Sequence, residues 1–248
     1  MAIILTMFAL GAILGFIGAG GSGFIIAILT LVFNIPIHTA LGTSLTAMAF
    51  TSLSGAFSHY REGNIAVKAG IVVGLFGAGG SFVGSKIAAL IPTDYMHLFT
   101  AGMLFLSALL LVVRLFLLKE KASTDTVGRI NAVFVLKAAI LGIVVGILSG
   151  TFGIGSTPFI QLGLLTFLGL TLRQSVGTTM LVIVPIAIGG GIGFTSEGYL
   201  DIVLLFQVLI GTMLGAYIGA KFTNLVPKAV LKTAMILTPA VSALILTL

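Results

Sequence analysis

The stretch Gly150-Thr151-Phe152-Gly153-Ile154-Gly155-Ser156-Thr157-Pro158 cuts an apolar run covering 133–168, and Gly18-Ala19-Gly20-Gly21-Ser22-Gly23 cuts another covering 3–33. Each run reads as two half-helices around a break, because glycine leaves the helical region at low steric cost. Outside the breaks the chain forms long apolar segments at about 39–58, 64–90, 94–117, 174–194, 199–224 and 228–248. A helix needs about 20 apolar residues to span the hydrocarbon of a bilayer. These segments are too long for strands and lack apolar/polar alternation. Turn residues punctuate them: Asn34-Ile35-Pro36, Arg61-Glu62-Gly63-Asn64, Ile91-Pro92-Thr93-Asp94, Ser196-Glu197-Gly198 and Val226-Pro227.

Composition agrees with that reading. Of 248 residues 58% are hydrophobic and 7% charged, with a mean hydropathy of +1.28. Soluble domains carry roughly 25% charged residues, so this chain cannot clothe a water-facing surface. Disorder is excluded as well, since it requires low hydrophobicity. The absence of cysteine excludes a disulfide scaffold, a thiolate metal site and a cysteine nucleophile. The net charge of +6 comes from scattered residues, which fits membrane orientation better than a nucleic-acid patch. Met1-Ala2-Ile3-Ile4 lacks a basic n-region, so no cleaved signal peptide is expected.

The chain repeats itself. A shift of 135 residues aligns 11–92 with 146–227 without a gap, matching Gly15/Gly150, Gly18/Gly153, Gly20/Gly155, Phe24/Phe159, Gly42/Gly177, Thr43/Thr178, Glu62/Glu197, Gly63/Gly198, Gly84/Gly219, Lys86/Lys221 and Pro92/Pro227. The units are repeat 1 (1–117), a polar linker (118–132) and repeat 2 (133–248), forming one integral-membrane domain. Internal repeats, each with a broken segment, point to a secondary-transporter architecture. If the broken segments enter the membrane and return, each repeat has three full spans and the second repeat is inverted. Eleven of the twelve Lys and Arg then fall on one side, leaving Lys86 on the other. If they cross, the division is seven to five. Cytoplasmic faces collect Lys and Arg. The expected fold is therefore all-α and polytopic: two inverted repeats, each with a broken or re-entrant helix plus three transmembrane helices. The linker faces the cytoplasm and both termini face outward, in the cell (inner) membrane.

The glycine breaks are the candidate site. Gly18-Ala19-Gly20-Gly21-Ser22-Gly23 fits G-x-G-x-x-G, but no strand precedes it and no acidic residue follows at dinucleotide-binding distance. Small residues also serve close helix packing in lipid. An unwound backbone offers more, because free N–H groups at the start of the next helix can bind an anion. Gly20, Gly21, Ser22 and Gly23 are the candidates in one half. Gly155, Ser156, Thr157 and the amide of Gln161 are the candidates in the other, with Pro158 suited to a first helical turn. Thr43, Ser44, Thr178 and Thr179 open the following spans; they either bond within their own helices or donate to a bound anion. Lys86 and Lys221 either snorkel to the interface or draw anions into a vestibule. Glu62, Asp94, Glu120, Asp125, Glu197 and Asp201 lie in loops, linker or span ends, so the usual carboxylate relay is missing. Gly20-Gly21-Ser22-Gly23 also fits the G-x-S-G of intramembrane serine proteases, yet no histidine lies in mid-span to act as base. No catalytic residue, metal site or cofactor is expected.

At these motifs the chain resembles the TauE/SafE family of sulfite exporter-like membrane proteins, over nearly its whole length. The likeness rests on a glycine break and apolar half-helix, followed by Ala40-Leu41-Gly42-Thr43-Ser44 or Ser175-Val176-Gly177-Thr178-Thr179. It extends to the Glu-Gly turn and a Gly-rich span ending Gly84-Ser85-Lys86 or Gly219-Ala220-Lys221. The chain departs from the family at Ala27, with no proline soon after the first break, and at Ser156, where a further glycine is expected. The resemblance implies transport of sulfite, an organosulfonate or a related small anion. The function expected is export of such an anion, held at the two breaks near the midplane. An anion channel is the alternative of the same class, and an intramembrane serine hydrolase that of another. The expected partners are a small anionic substrate and the lipid bilayer, not nucleic acid; a homodimer is compatible with the pattern.

Overall fold

The computed structural model describes residues 1–17, 22–113, 132–154, 156–220 and 228–247. Their regular structure is entirely helical: α1 (Ala2–Ile17), α2 (Ser22–Leu31), α3 (Ile37–Arg61), α4 (Val67–Leu90), α5 (Thr93–Val112), α6 (Ala132–Phe152), α7 (Thr157–Thr166), α8 (Leu172–Ser196), α9 (Ile202–Ala220) and α10 (Lys228–Leu246). The six long apolar runs are α3, α4, α5, α8, α9 and α10. The two interrupted runs are helix pairs, α1 with α2 and α6 with α7. The members of each pair are unequal rather than matched halves. At 1.5 Å per residue, a 21-residue α6 is long enough to cross hydrocarbon, whereas the 10-residue α2 and α7 are not.

Among the described residues, four helices are long and apolar enough to cross a membrane: α4, α5, α6 and α8. With 25 residues α3 has the length, but its composition is too polar. Its serines and threonines are Thr39, Thr43, Ser44, Thr46, Thr51, Ser52, Ser54 and Ser58. The bundle explains this, because α3 buries Thr43, Ser44 and Ser52 against protein, where hydrogen-bonding groups find partners that lipid lacks.

Turns recur at the 135-residue offset. Asn34 and Gly169 both take a left-handed backbone, with φ of 52° and 66°, and so do Gly63 and Gly198, at 71° and 76°. Ile35 N–H donates to the Leu29 carbonyl as Leu170 N–H does to Leu164. Asn64 N–H donates to the His59 carbonyl as Tyr199 N–H does to Phe194, each at 2.9 Å.

Glycine packs the helices together. On α6, Gly142, Gly146 and Gly150 meet the carbonyls of Val73, Gly77 and Ser81 on α4, and any side chain there would overlap them. Both sets of residue numbers rise together, so α4 and α6 run parallel. Their counterparts α1 and α9 do the same, with Ile4 beside Gly211 and Phe8 beside Gly215. Such backbone contact is how helices associate where lipid supplies no hydrophobic drive. The counterparts α3 and α8 instead run antiparallel: Gly42 lies against Phe194, Leu45 against Gly190 and Gly55 against Met180.

Candidate functional site

The second break is built by two residues in left-handed conformations. Gly153 (φ +64°) stops α6 and donates its N–H to the Ser149 carbonyl at 2.8 Å. Glycine is required there on two counts: the positive φ, and a Cβ that would sit 3.0 Å from Leu41 Cα. Ser156 (φ 45°, ψ 28°) is the N-cap of α7, yet its side chain makes no capping bond. A left-handed residue other than glycine costs roughly 1–2 kcal/mol. An N-cap serine ordinarily accepts from a backbone N–H of the first turn; here Oγ is buried without a partner. Ile160 N–H closes the first helical bond to the Ser156 carbonyl at 2.9 Å. Pro158 has no N–H, so within this first turn Thr157 and Phe159 supply the amides that open on no helical carbonyl.

Two more polar atoms lack partners on the same helix: Thr157 Oγ1 and Gln161 Oε1. Their i, i+4 spacing stacks them on one face of α7. Gln161 is only 4% exposed. A buried amide oxygen left unpaired costs about 1–3 kcal/mol, so a native site that keeps one has a reason to. On α3, Thr43 Oγ1 is also fully buried and unpaired.

The first break differs. Ser22 begins α2 and is buried. Its carbonyl accepts from Ser44 Oγ at 3.1 Å. Gly23 is walled off by Leu104 of α5, whose Cδ2 would lie 2.5 Å from a Cβ there. Thr30 donates into its own helix, to the Ile26 carbonyl at 2.9 Å. One helical turn of α3 reaches both breaks, since Leu41 packs on Gly153 and Ser44 binds Ser22.

Of the hydroxyls that open α3 and α8, Thr43 alone lacks a partner. Thr179 donates to its own helix, to the Ser175 carbonyl at 2.6 Å. Thr178 Oγ1 accepts from Ala66 N–H at 2.9 Å and so caps α4 from the other repeat. Lys86 donates to Ser196 Oγ at 2.7 Å and to the Glu197 carboxylate, with its ammonium 5.5 Å from the Phe82 ring centroid. Gly20, Gly21, Gly155, Lys221 and all but the last residue of the 118–132 linker lie outside the described residues.

Sequence reasoning missed three buried hydroxyls without partners: Ser81, Thr100 and Ser149. Ser81 Oγ would be 2.5 Å from a Cβ at Gly190, and the Ser149 carbonyl anchors Gly153. For Ser81 the available signal was a hydroxyl in an apolar, glycine-rich helix; nothing in the sequence around Thr100 or Ser149 marks them out. His38 lies near the start of α3. It is buried, donates Nε2–H to the Ala88 carbonyl at 2.9 Å, and stacks on Tyr199 with ring centroids 4.9 Å apart.

Residues 3–246 match the sulfite exporter TauE/SafE family. The chain is 65% identical over 246 residues to a probable membrane transporter protein, YdhB, of Bacillus subtilis (strain 168), covering 99% of each chain. It is 24% identical over 214 residues to a probable membrane transporter protein of Xylella fastidiosa (strain 9a5c), covering 84% of this chain and 79% of that one. A probable membrane transporter protein of Methanocaldococcus jannaschii, MJ0441, is 25% identical over 240 residues, covering 89% and 86%. No solved structure matches. A bundle of apolar helices packed through glycine, a helix pair interrupted at left-handed residues, and a family match across almost the entire chain lead to one conclusion: this protein belongs to the TauE/SafE family and is a membrane transporter.

Proposed function

We propose that the protein exports a small sulfur-containing anion, sulfite or an organosulfonate, and holds it at the helix breaks near the membrane midplane. The observation that carries this reading is the start of α7. There Ser156 Oγ, Thr157 Oγ1 and Gln161 Oε1 are buried and unpaired at a helix N-terminus, whose positive dipole end favours an anion. The two hydroxyls are donors, and the Gln161 amide adds both a donor and an acceptor. Neutral donors suit a carrier, because a buried unpaired cation is costly and would hold the anion too tightly for release. The name of the matched family, sulfite exporter, supports the substrate class.

The antiparallel course of α3 and α8, which stand 135 residues apart in the repeat, supports an inverted arrangement. So does the placing of eleven of twelve Lys and Arg on one face in that arrangement. By the positive-inside rule this face is cytoplasmic and includes the 118–132 linker, with both termini outside. The acidic side chains lie in turns, linker or helix ends, so no mid-membrane carboxylate couples transport to protons. An inside-negative potential favours anion exit by about 2.3 kcal/mol per charge per 100 mV, enough to drive export alone.

Flux of sulfite from proteoliposomes under an imposed potential tests the proposal. Efflux should follow the potential and persist with no proton gradient. Flux that requires a proton gradient at zero potential would refute uncoupled export. Absence of flux for sulfite and sulfonates alike would refute the substrate class.

A further inference from the structure

The two breaks occupy equivalent places in the repeat, yet their chemistry differs: Ser156 stands opposite Gly21, Pro158 opposite Gly23, and the largest change of polarity falls one turn further on. Gln161 stands 135 residues after Ile26. Both are buried, at 4% and 0% exposure, so the same site in the fold holds an amide in one half and hydrocarbon in the other. The surroundings follow suit. In α7 the Thr157 and Gln161 side chains carry unpaired buried atoms, and so does the preceding Ser156. In α2, among the described residues, no polar side-chain atom is buried unpaired, and the Ser22 carbonyl is occupied by Ser44.

We infer that the α6/α7 break is the half that reads the solute, that Gln161 is its specificity residue, and that it selects a monoanion still bearing a hydrogen-bond donor. This rests on the anion-transport proposal above.

The argument is one of hydrogen-bond satisfaction. Ser156 Oγ and Thr157 Oγ1 can each donate to an oxyanion, as can the first-turn amides of α7. Gln161 is different because its amide has a donor end and an acceptor end. Whichever way the amide is turned, the acceptor must meet an N–H or O–H. A fully deprotonated oxyanion has none to give and leaves a buried oxygen unsatisfied. A solute with an O–H or N–H satisfies both ends. Charge points the same way. Lys86, two positions beyond the Gly84 that packs on Thr151, is already engaged by Glu197. A second negative charge on the solute would therefore enter an uncompensated, low-dielectric site.

Two monoanionic sulfonates of similar size separate the possibilities: hydroxymethanesulfonate, which carries an O–H, and methanesulfonate, which does not. Uptake of each into proteoliposomes containing the full chain is measured at a fixed potential. The wild-type protein should prefer hydroxymethanesulfonate by about 10-fold or more. Gln161→Met, which keeps the volume and removes both polar ends, should bring the ratio close to one. Ile26→Met, the matched change in the other half, should leave the wild-type ratio intact. A wild-type ratio near one overturns the inference and needs no variant to do so. Retention of the wild-type ratio in Gln161→Met also overturns it, while leaving anion transport standing. Absence of uptake of either sulfonate and of hydrogen sulfite would remove the transport proposal and this inference together.

Discussion

Glu197, in the turn that follows α8, accepts a hydrogen bond from the Lys86 ammonium of α4, tying the end of one repeat's helix to the other repeat's turn. Both side chains are about one-third exposed, at 38% and 32%. A pair that exposed contributes only about 0–1 kcal/mol to stability. Its larger effect is on the field at that end of α4, where the carboxylate cancels the Lys86 charge that would otherwise attract an anion.

Releasing that charge should therefore speed entry. Glu197→Gln is expected to raise the initial rate of sulfite uptake by about twofold or more at low ionic strength. The gain should vanish near 1 M salt, where screening acts within about 3 Å. Rates across a salt series check this, and a gain that survives high salt would point to a structural cause.

The glycines of α6 touch carbonyls of α4, so even a methyl group should be resisted. Gly150→Ala overlaps the Ser81 carbonyl and is expected to lower stability by about 1–3 kcal/mol, as overpacking does. Gly79 faces open space, and Gly79→Ala should stabilise by about 0.5–1 kcal/mol. Thermal unfolding in detergent distinguishes the two, and equal effects would contradict the packing described.

Ser156 sits in a backbone region that glycine occupies freely. Ser156→Gly should relieve roughly 1–2 kcal/mol of strain, less about 0.4–1 kcal/mol for the looser unfolded chain. The protein should unfold at a slightly higher temperature while its anion-dependent stabilisation weakens. Ser156→Ala keeps the strain and loses the same hydroxyl, so it should weaken anion binding without the gain. Thermal shifts with and without sulfite supply both readings.

Thr178 and Thr179 are neighbours with different tasks. Thr178→Val removes the acceptor for the Ala66 N–H and should cost about 1–3 kcal/mol, the penalty of a buried orphan donor. Thr179→Val breaks only a bond within its own helix and should cost about 1 kcal/mol or less. Chemical denaturation of both variants tests the ordering.

Much of this architecture could be read from residue order alone. Apolar length fixed the helical class, and the glycine runs marked where α1 gives way to α2 and α6 to α7. Asn34-Ile35-Pro36 and Glu62-Gly63 marked turns where left-handed residues now stand. Two things escaped. The unequal lengths of α6 and α7 did, because apolar composition is continuous up to Gly150 and says nothing of which glycine stops the helix; Gly153 does, where Leu41 leaves no room for a side chain. Partner choice escaped as well. Lys86 reads equally as a snorkelling or an anion-attracting lysine until Glu197, 111 positions away, is found beside it. Thr43 and Thr178 align as equals in sequence, yet only Thr178 finds a backbone N–H. Hydropathy registers how much oil a segment carries, not which neighbour a hydroxyl will meet.

Gly42 of α3 lies under the Tyr199 carbonyl, and Gly177 of α8 lies under the Asn64 carbonyl. The turn after α8 thus covers α3, and the turn after α3 covers α8. Severing the chain within 118–131 should yield fragments that are insoluble or degraded when made singly and that reassemble when made together, since neither inherits a finished interior.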